Sequence, residues 1–113
     1  MKIDTTDPIG TEKLGRQLAK LVDGPPGSVV LVGDTTEDAV LGHIVGRELG
    51  VPVIRIYDEE GLAMSAAPIP SGARGVLVSD TMSDHLIDTA KALLARAGGQ
   101  LINVAALTQL EES

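Results

Sequence analysis

Two hydrophobic rhythms alternate along this chain. Short, nearly unbroken apolar runs occur at Ser28 to Val32, Val51 to Tyr57, Gly75 to Val78 and Leu101 to Leu107. Runs of this length bounded by turn residues predict strands, and the Val-rich run Ser28 to Val32 suits a strand buried on both faces of a sheet. Between them, apolar residues return every third or fourth position, the period of an amphipathic helix. Thr11 to Val22 reads as the first helix, with Leu14, Leu18, Leu21 and Val22 on one side, and Asp23-Gly-Pro-Pro-Gly27 stops it. Thr36 is expected to cap the second helix, which runs to about Leu49, with Glu37 and Asp38 complementing its dipole and Gly50 closing it. The third is Leu86 to Ala97, burying Leu86, Ile87, Ala90, Leu93, Leu94 and Ala97 before Gly98-Gly99. Asp58 to Gly72 reads as irregular, with one short strand around Leu62 to Ala66, and Thr108 to Ser113 as a polar tail.

A helix followed by strand-helix units predicts an α/β fold: a parallel, doubly wound sheet with right-handed crossovers. Pro52 and Arg55 place the second strand towards an edge. Gly42 and Gly46, four apart on one helical face, predict close packing on the sheet. With strand order 2-1-3-4, the loops after the first and third strands flank the topological switch point, where such folds bind ligands. Gly33 to Asp38 would then face Ser79 to His85.

Composition narrows the picture. With 113 residues, 43% of them hydrophobic, the chain closes one core, so residues 1–113 are expected to form a single domain. Tyr57 is the sole aromatic residue, so that core is aliphatic. The absence of cysteine excludes disulfides, thiolate catalysis and cysteine-held metals. No apolar run approaches the roughly 18 residues of a membrane span, and a cytoplasmic location is expected. The net charge of -7 disfavours nucleic acid and anionic membranes as partners. Asp34, Glu37, Asp38, Asp58, Glu59, Glu60, Asp80 and Asp84 all fall in or beside the loops that follow strands, and those loop segments carry no Lys or Arg.

The stretch Val76-Leu-Val-Ser-Asp-Thr-Met-Ser-Asp-His-Leu-Ile-Asp-Thr89, followed by Gly98-Gly99 and Ile102-Asn-Val-Ala-Ala-Leu107, resembles the signature region of type I phosphoribosyltransferases. Gly33-Asp-Thr-Thr-Glu-Asp38, before a helix ending Arg47-Glu-Leu-Gly-Val-Pro-Val53, is similar to the pyrophosphate-loop region of the orotate-type members. The resemblance covers Ser28 to Leu107. It implies the family's Rossmann-like core. It also implies a site in which an acidic pair holds the ribose hydroxyls of phosphoribosyl pyrophosphate and a Thr/Ser/Gly-rich loop cradles its 5'-phosphate at a helix N-terminus. Carried over residue by residue, Asp80 matches the second acid and Ser83 a loop hydroxyl, within a ligand loop of Ser79, Asp80, Thr81, Ser83, Asp84 and His85. Gly33, Asp34, Thr35 and Thr36 form the pyrophosphate-loop counterpart. Homodimerisation follows by the same analogy, and Mg²⁺ at Asp80 follows from the preference of hard cations for carboxylate oxygens.

The pattern is degenerate. Ser79 stands where the first acid belongs, Asp84 takes a hydroxyl position, and His85, Leu86 and Ile87 replace small Gly and Thr residues. A carboxylate in a phosphate cradle repels the ligand, and bulky side chains obstruct close backbone approach. Asp58, Glu59 and Glu60 occupy the place of a cation that neutralises pyrophosphate; Arg55 and Arg74 are the nearest substitutes. The nucleobase-gripping hood has no counterpart here. Three readings stay open. One is a non-catalytic domain that binds a nucleotide-like or phosphorylated ligand, or a protein partner, in the crevice. The others are a minimal Mg²⁺-dependent transferase of nucleotide metabolism and an interaction domain with an acidic divalent-ion site. Within the loop, Asp84 or Ser83 is expected to cap the third helix, and His85 and His43 are read as solvated surface residues.

Overall fold

A computed structural model describes residues 3–22 and 27–111, with side chains to residue 110; residues 1–2, most of the expected helix stop Asp23-Gly-Pro-Pro-Gly27 and the end of the tail lie outside them. The elements run α1 (Pro8–Leu21), β1 (Val29–Val32), α2 (Thr36–Leu49), β2 (Val53–Glu59), β3 (Leu62–Ser65), β4 (Arg74–Ser79), α3 (Asp84–Arg96), β5 (Gln100–Ala106) and α4 (Leu107–Glu111). The sheet order is β3-β2-β1-β4-β5. β1 runs parallel to β2 and β4, and β4 parallel to β5, which is the expected 2-1-3-4 order of the parallel strands. The short strand near Leu62 adds to that order as an antiparallel edge against β2.

The runs of β1 and β4 are buried because the sheet is covered on both sides there, whereas β2 alternates between buried and exposed positions and β5 is largely half-buried. Val29, Leu31, Ile54, Ile56 and Leu77 meet Ala90, Leu93 and Leu94 of α3 on one face. Val30, Val32, Val76, Val78 and Ala105 meet Leu18 of α1, and Leu41 and Val45 of α2, on the other. Leu31 sits at the centre, paired in register with Ile54 on one side and Leu77 on the other. Full burial of each such side chain contributes about 1.5–3 kcal/mol.

Glycines set the helix spacing on the second face. A Cβ at Gly42 would overlap Val32 Cγ1, one at Gly46 would overlap Val53 Cγ2, and one at Gly15 would stand 2.5 Å from Ile44 Cγ2. α2 therefore lies flat against β1 and β2, and α1 against α2. An ion-pair network ties the two helices along their solvent edge: Glu12 pairs with Arg47 and Arg16, and Arg16 with Glu48.

Four boundaries differ from expectation, each for a local reason. α1 begins at Pro8, not Thr11, because Asp7 caps it through the Gly10 N–H at 3.0 Å and proline suits the first helical position. Thr35, not Thr36, caps α2, accepting from the Asp38 N–H at 3.1 Å. Asp58 and Glu59 belong to β2, since the supposed irregular segment opens as a β-hairpin. Its two-residue turn places Glu60 (φ 52°) and Gly61 (φ 83°) in the left-handed region, and Asp58 Oδ1 accepts from the Gly61 N–H at 2.8 Å. The polar tail begins as α4, because Leu107 and Leu110 both join the core beneath α1.

Gly42→Ala is expected to lose about 1–3 kcal/mol in urea unfolding, the range for overpacking a filled core. His43→Ala, on the exposed side of the same helix, should stay within about 0.5 kcal/mol of the parent. Equal midpoints for the two variants would mean that α2 does not approach the sheet this closely.

Candidate functional site

The parallel order brings the C-terminal ends of β1 and β4 side by side, with Val32 paired to Val78. The loops after these strands open α2 and α3, so both helix N-termini and all the loop residues named above converge at one end of the sheet. Thr35 is spent as the α2 cap. Ser83 is spent as the α3 cap, accepting from the Leu86 N–H at 3.1 Å. Thr36, Thr81, Asp84 and His85 are exposed, and Asp80 is half-buried.

The centre of the crevice is a residue whose sequence context suggested only a helix-dipole partner. Asp38 is 4% exposed, and its carboxylate turns inward between the two loops. The Ser79 hydroxyl lies 3.0 Å from each of its oxygens, and the Asp80 N–H donates to Oδ1 at 2.9 Å. Ser79 itself is 1% exposed, its oxygen also 3.0 Å from the Thr81 carbonyl. Gly33 leaves room for this carboxylate, since a Cβ there would overlap Asp38 Oδ2 and stand 3.6 Å from Leu86 Cδ2. An intramolecular carboxylate thus occupies a hydroxyl and a backbone amide at the strand ends, the donor types that would otherwise receive an anion.

Burial lifts the Asp38 pKa above its ordinary 3.8, and the adjoining Asp80 carboxyl adds to the rise; the Asp80 amide and the Ser79 hydroxyl pull it back only in part. Around this centre the charges pair locally. Arg55 meets Asp34 at 3.0 Å and lies 5.9 Å above the Tyr57 ring, which leaves the nearest cation already engaged. His85 Nε2 lies 3.4 Å from Asp58 Oδ2, joining α3 to the end of β2. Arg74 stands at the opposite end of β4 from the crevice.

The fit to a metal is poor. Among the described residues, no three His, Asp or Glu side chains stand together as a metal site, and no buried side-chain nitrogen or oxygen lacks a partner. Asp80 has Asp38 beside it, but that carboxylate is committed to its own donors. A groove of about 540 Å³ lies elsewhere, along the outer face of α1. No described helix is long and apolar enough to cross a membrane.

The fold is that of the type I phosphoribosyltransferases. It superposes on adenine phosphoribosyltransferase from Thermoanaerobacter pseudethanolicus with a TM-score of 0.71 at 18% identity, over 88% of this chain and 67% of that one. UMP synthase from Leishmania donovani gives the same TM-score, 0.71, at 18% identity over 88% of this chain and 22% of that one. Adenine phosphoribosyltransferase from Trypanosoma brucei, solved with AMP, pyrophosphate and ribose-5-phosphate, gives 0.67 at 19% identity, over 90% of this chain and 53% of that one. The chain thus spans about half to two thirds of these transferases and a smaller share of the synthase. No protein-family model and no curated protein sequence matches it.

The buried carboxylate makes stability depend on pH in a direction opposite to the usual carboxylate effect. A pKa raised on folding means that the native state holds the proton more tightly than the unfolded chain. The contribution is fully present below the ordinary 3.8 and is lost as pH rises through the elevated folded value. Asp38→Asn keeps an acceptor for Asp80 or Ser79 and removes the charge. It should be at least as stable as the parent at pH 7, and the difference in Tm should shrink as pH falls through that window. A difference independent of pH would show that Asp38 is not the titrating group.

Proposed function

We propose that this chain is a non-catalytic phosphoribosyltransferase-fold domain that holds a nucleotide-like ligand through its sugar, not its phosphates. The observation that carries this reading is the Asp38 carboxylate seated on the Ser79 hydroxyl and the Asp80 amide. A phosphate entering there would have to displace a carboxylate and face Asp80 and Asp84 as well, a like-charge encounter in a partly dry crevice. Leu86 reinforces the exclusion by filling space beside Gly33. Asp80 remains half-exposed at the strand end, a carboxylate suited to accept hydrogen bonds from vicinal hydroxyls. The family counterpart of Asp80 serves the same ribose hydroxyls, so the proposed ligand keeps one half of the ancestral recognition and drops the other.

Phosphoribosyl transfer is not expected from this arrangement, because Arg55 beside the crevice is already paired with Asp34 and, among the described residues, no three His, Asp or Glu side chains stand together to hold Mg²⁺. With adenine or orotate and phosphoribosyl pyrophosphate, with or without Mg²⁺, no pyrophosphate should be released; turnover abolished by Asp80→Asn would overturn the proposal. In an NMR titration of labelled protein, adenosine should shift the amides of Gly33 to Asp38 and Ser79 to His85, whereas phosphoribosyl pyrophosphate should leave them in place at millimolar concentration. Asp38→Ala together with Asp84→Thr and His85→Gly should introduce phosphate binding at the same amides. A folded triple variant still silent to phosphate would count against the cradle assignment, and silence of the parent towards adenosine would redirect the search to a protein partner.

A further inference from the structure

Outside the crevice, two surface features match each other in shape, charge and apolar content. One is the groove of about 540 Å³ on the outer face of α1, where Ile9, Lys13, Arg16 and Lys20 lie along one stripe. Its single acid, Glu12, is already shared by Arg16 and Arg47, while Lys13 and Lys20 form no ion pair among the described residues. The other is the tip of the β2–β3 hairpin, where Glu59, Glu60, Gly61 and Leu62 are all exposed. Glu59 and Glu60 likewise pair with no cation among the described residues. Of the large exposed hydrophobic residues, the two most exposed are Ile9 at 83% and Leu62 at 61%, one in each feature.

We propose that the acidic hairpin tip of one copy of this chain docks into the basic α1 groove of a second copy, with Leu62 seated beside Ile9. The occupant is a second copy because the same molecule carries both halves: a concave strip with two free ammonium groups and a protruding turn with two free carboxylates. A turn tightened by two left-handed residues has a backbone with little conformational freedom left to lose on docking. The sheet order puts the two features at opposite edges. β3 is one edge strand, whereas α1 packs mainly on α2 and, among the strands, on β5 at the other edge. One molecule therefore cannot satisfy its own groove, and the contact is head-to-tail, propagating into short chains or closing as a ring. The charged component makes the association salt-sensitive.

Sedimentation velocity over a concentration series tests this directly. The parent protein should self-associate at low ionic strength, and the association should weaken at about 0.5 M salt, where charges are screened within a few ångströms. Lys13→Glu with Lys20→Glu, or Glu59→Lys with Glu60→Lys, should each weaken association at least about tenfold, since like charges then face each other. Circular dichroism should show both variants folded, because all four positions are exposed. Mixing the two variants in equal amounts should restore association, because each reversed surface then meets its complement. A monomeric parent at every concentration, association unchanged in both variants, or no rescue on mixing would each overturn the proposal.

Discussion

The site end of this protein is organised around a carboxylate that cannot reach water. Asp38 is buried between two loops that belong to different crossovers, and a bare charge in that position would cost several kcal/mol. Its oxygens are instead met by the Ser79 hydroxyl and the Asp80 N–H. The contact joins residues about forty positions apart and fixes the distance between the starts of α2 and α3. It also constrains its neighbours. Gly33 is needed because any side chain there would collide with the carboxylate. An acid at position 79 would set a second carboxylate at about 3 Å, where two cannot both ionise. The serine at position 79 and the buried aspartate at position 38 are therefore one linked choice, not two separate features.

That choice depends on how closely α2 lies on the sheet. Gly42 and Gly46 let the helix descend onto Val32 and Val53, which brings its first turn down to the level of the strand ends. A helix held off by larger residues would carry Asp38 outward, where water would solvate it and no contact with Ser79 would be required. Packing in the middle of the helix thus decides the electrostatics at its end.

The parallel core was legible in the sequence because its strands are unbroken aliphatic runs and its helices carry a clear 3.6-residue stripe. The glycine pair was legible for the same reason: four-residue spacing on a helix facing a β-branched strand has few other uses. What escaped was set by context. Asp38 looked like an ordinary first-turn acid, since nothing local reveals that its partners lie beyond β3. The β2–β3 hairpin was obscured because its turn places a glutamate in the left-handed region, which favours Gly, Asn or Asp. The start of α1 was hidden in Asp7-Pro8, a capping pair that precedes the first periodic residue. Around Val76 to Thr89, the identity of the fold was readable from the order of elements, while the electrostatics of the loop hinged on a long-range hydrogen bond.

The distribution of charge follows from the same constraint. Once the crevice holds an internal anion, cations placed near it would be drawn to Asp38 or Asp80 and would compete with the donors that keep the carboxylate buried. Arg55 escapes this by pairing outward with Asp34 and lying over Tyr57. The lysines of α1 are kept on a separate face. The result is a molecule of net charge -7 whose strand ends are acidic and whose first helix is basic. That separation of sign across the molecule is a direct consequence of burying one carboxylate between the two loops.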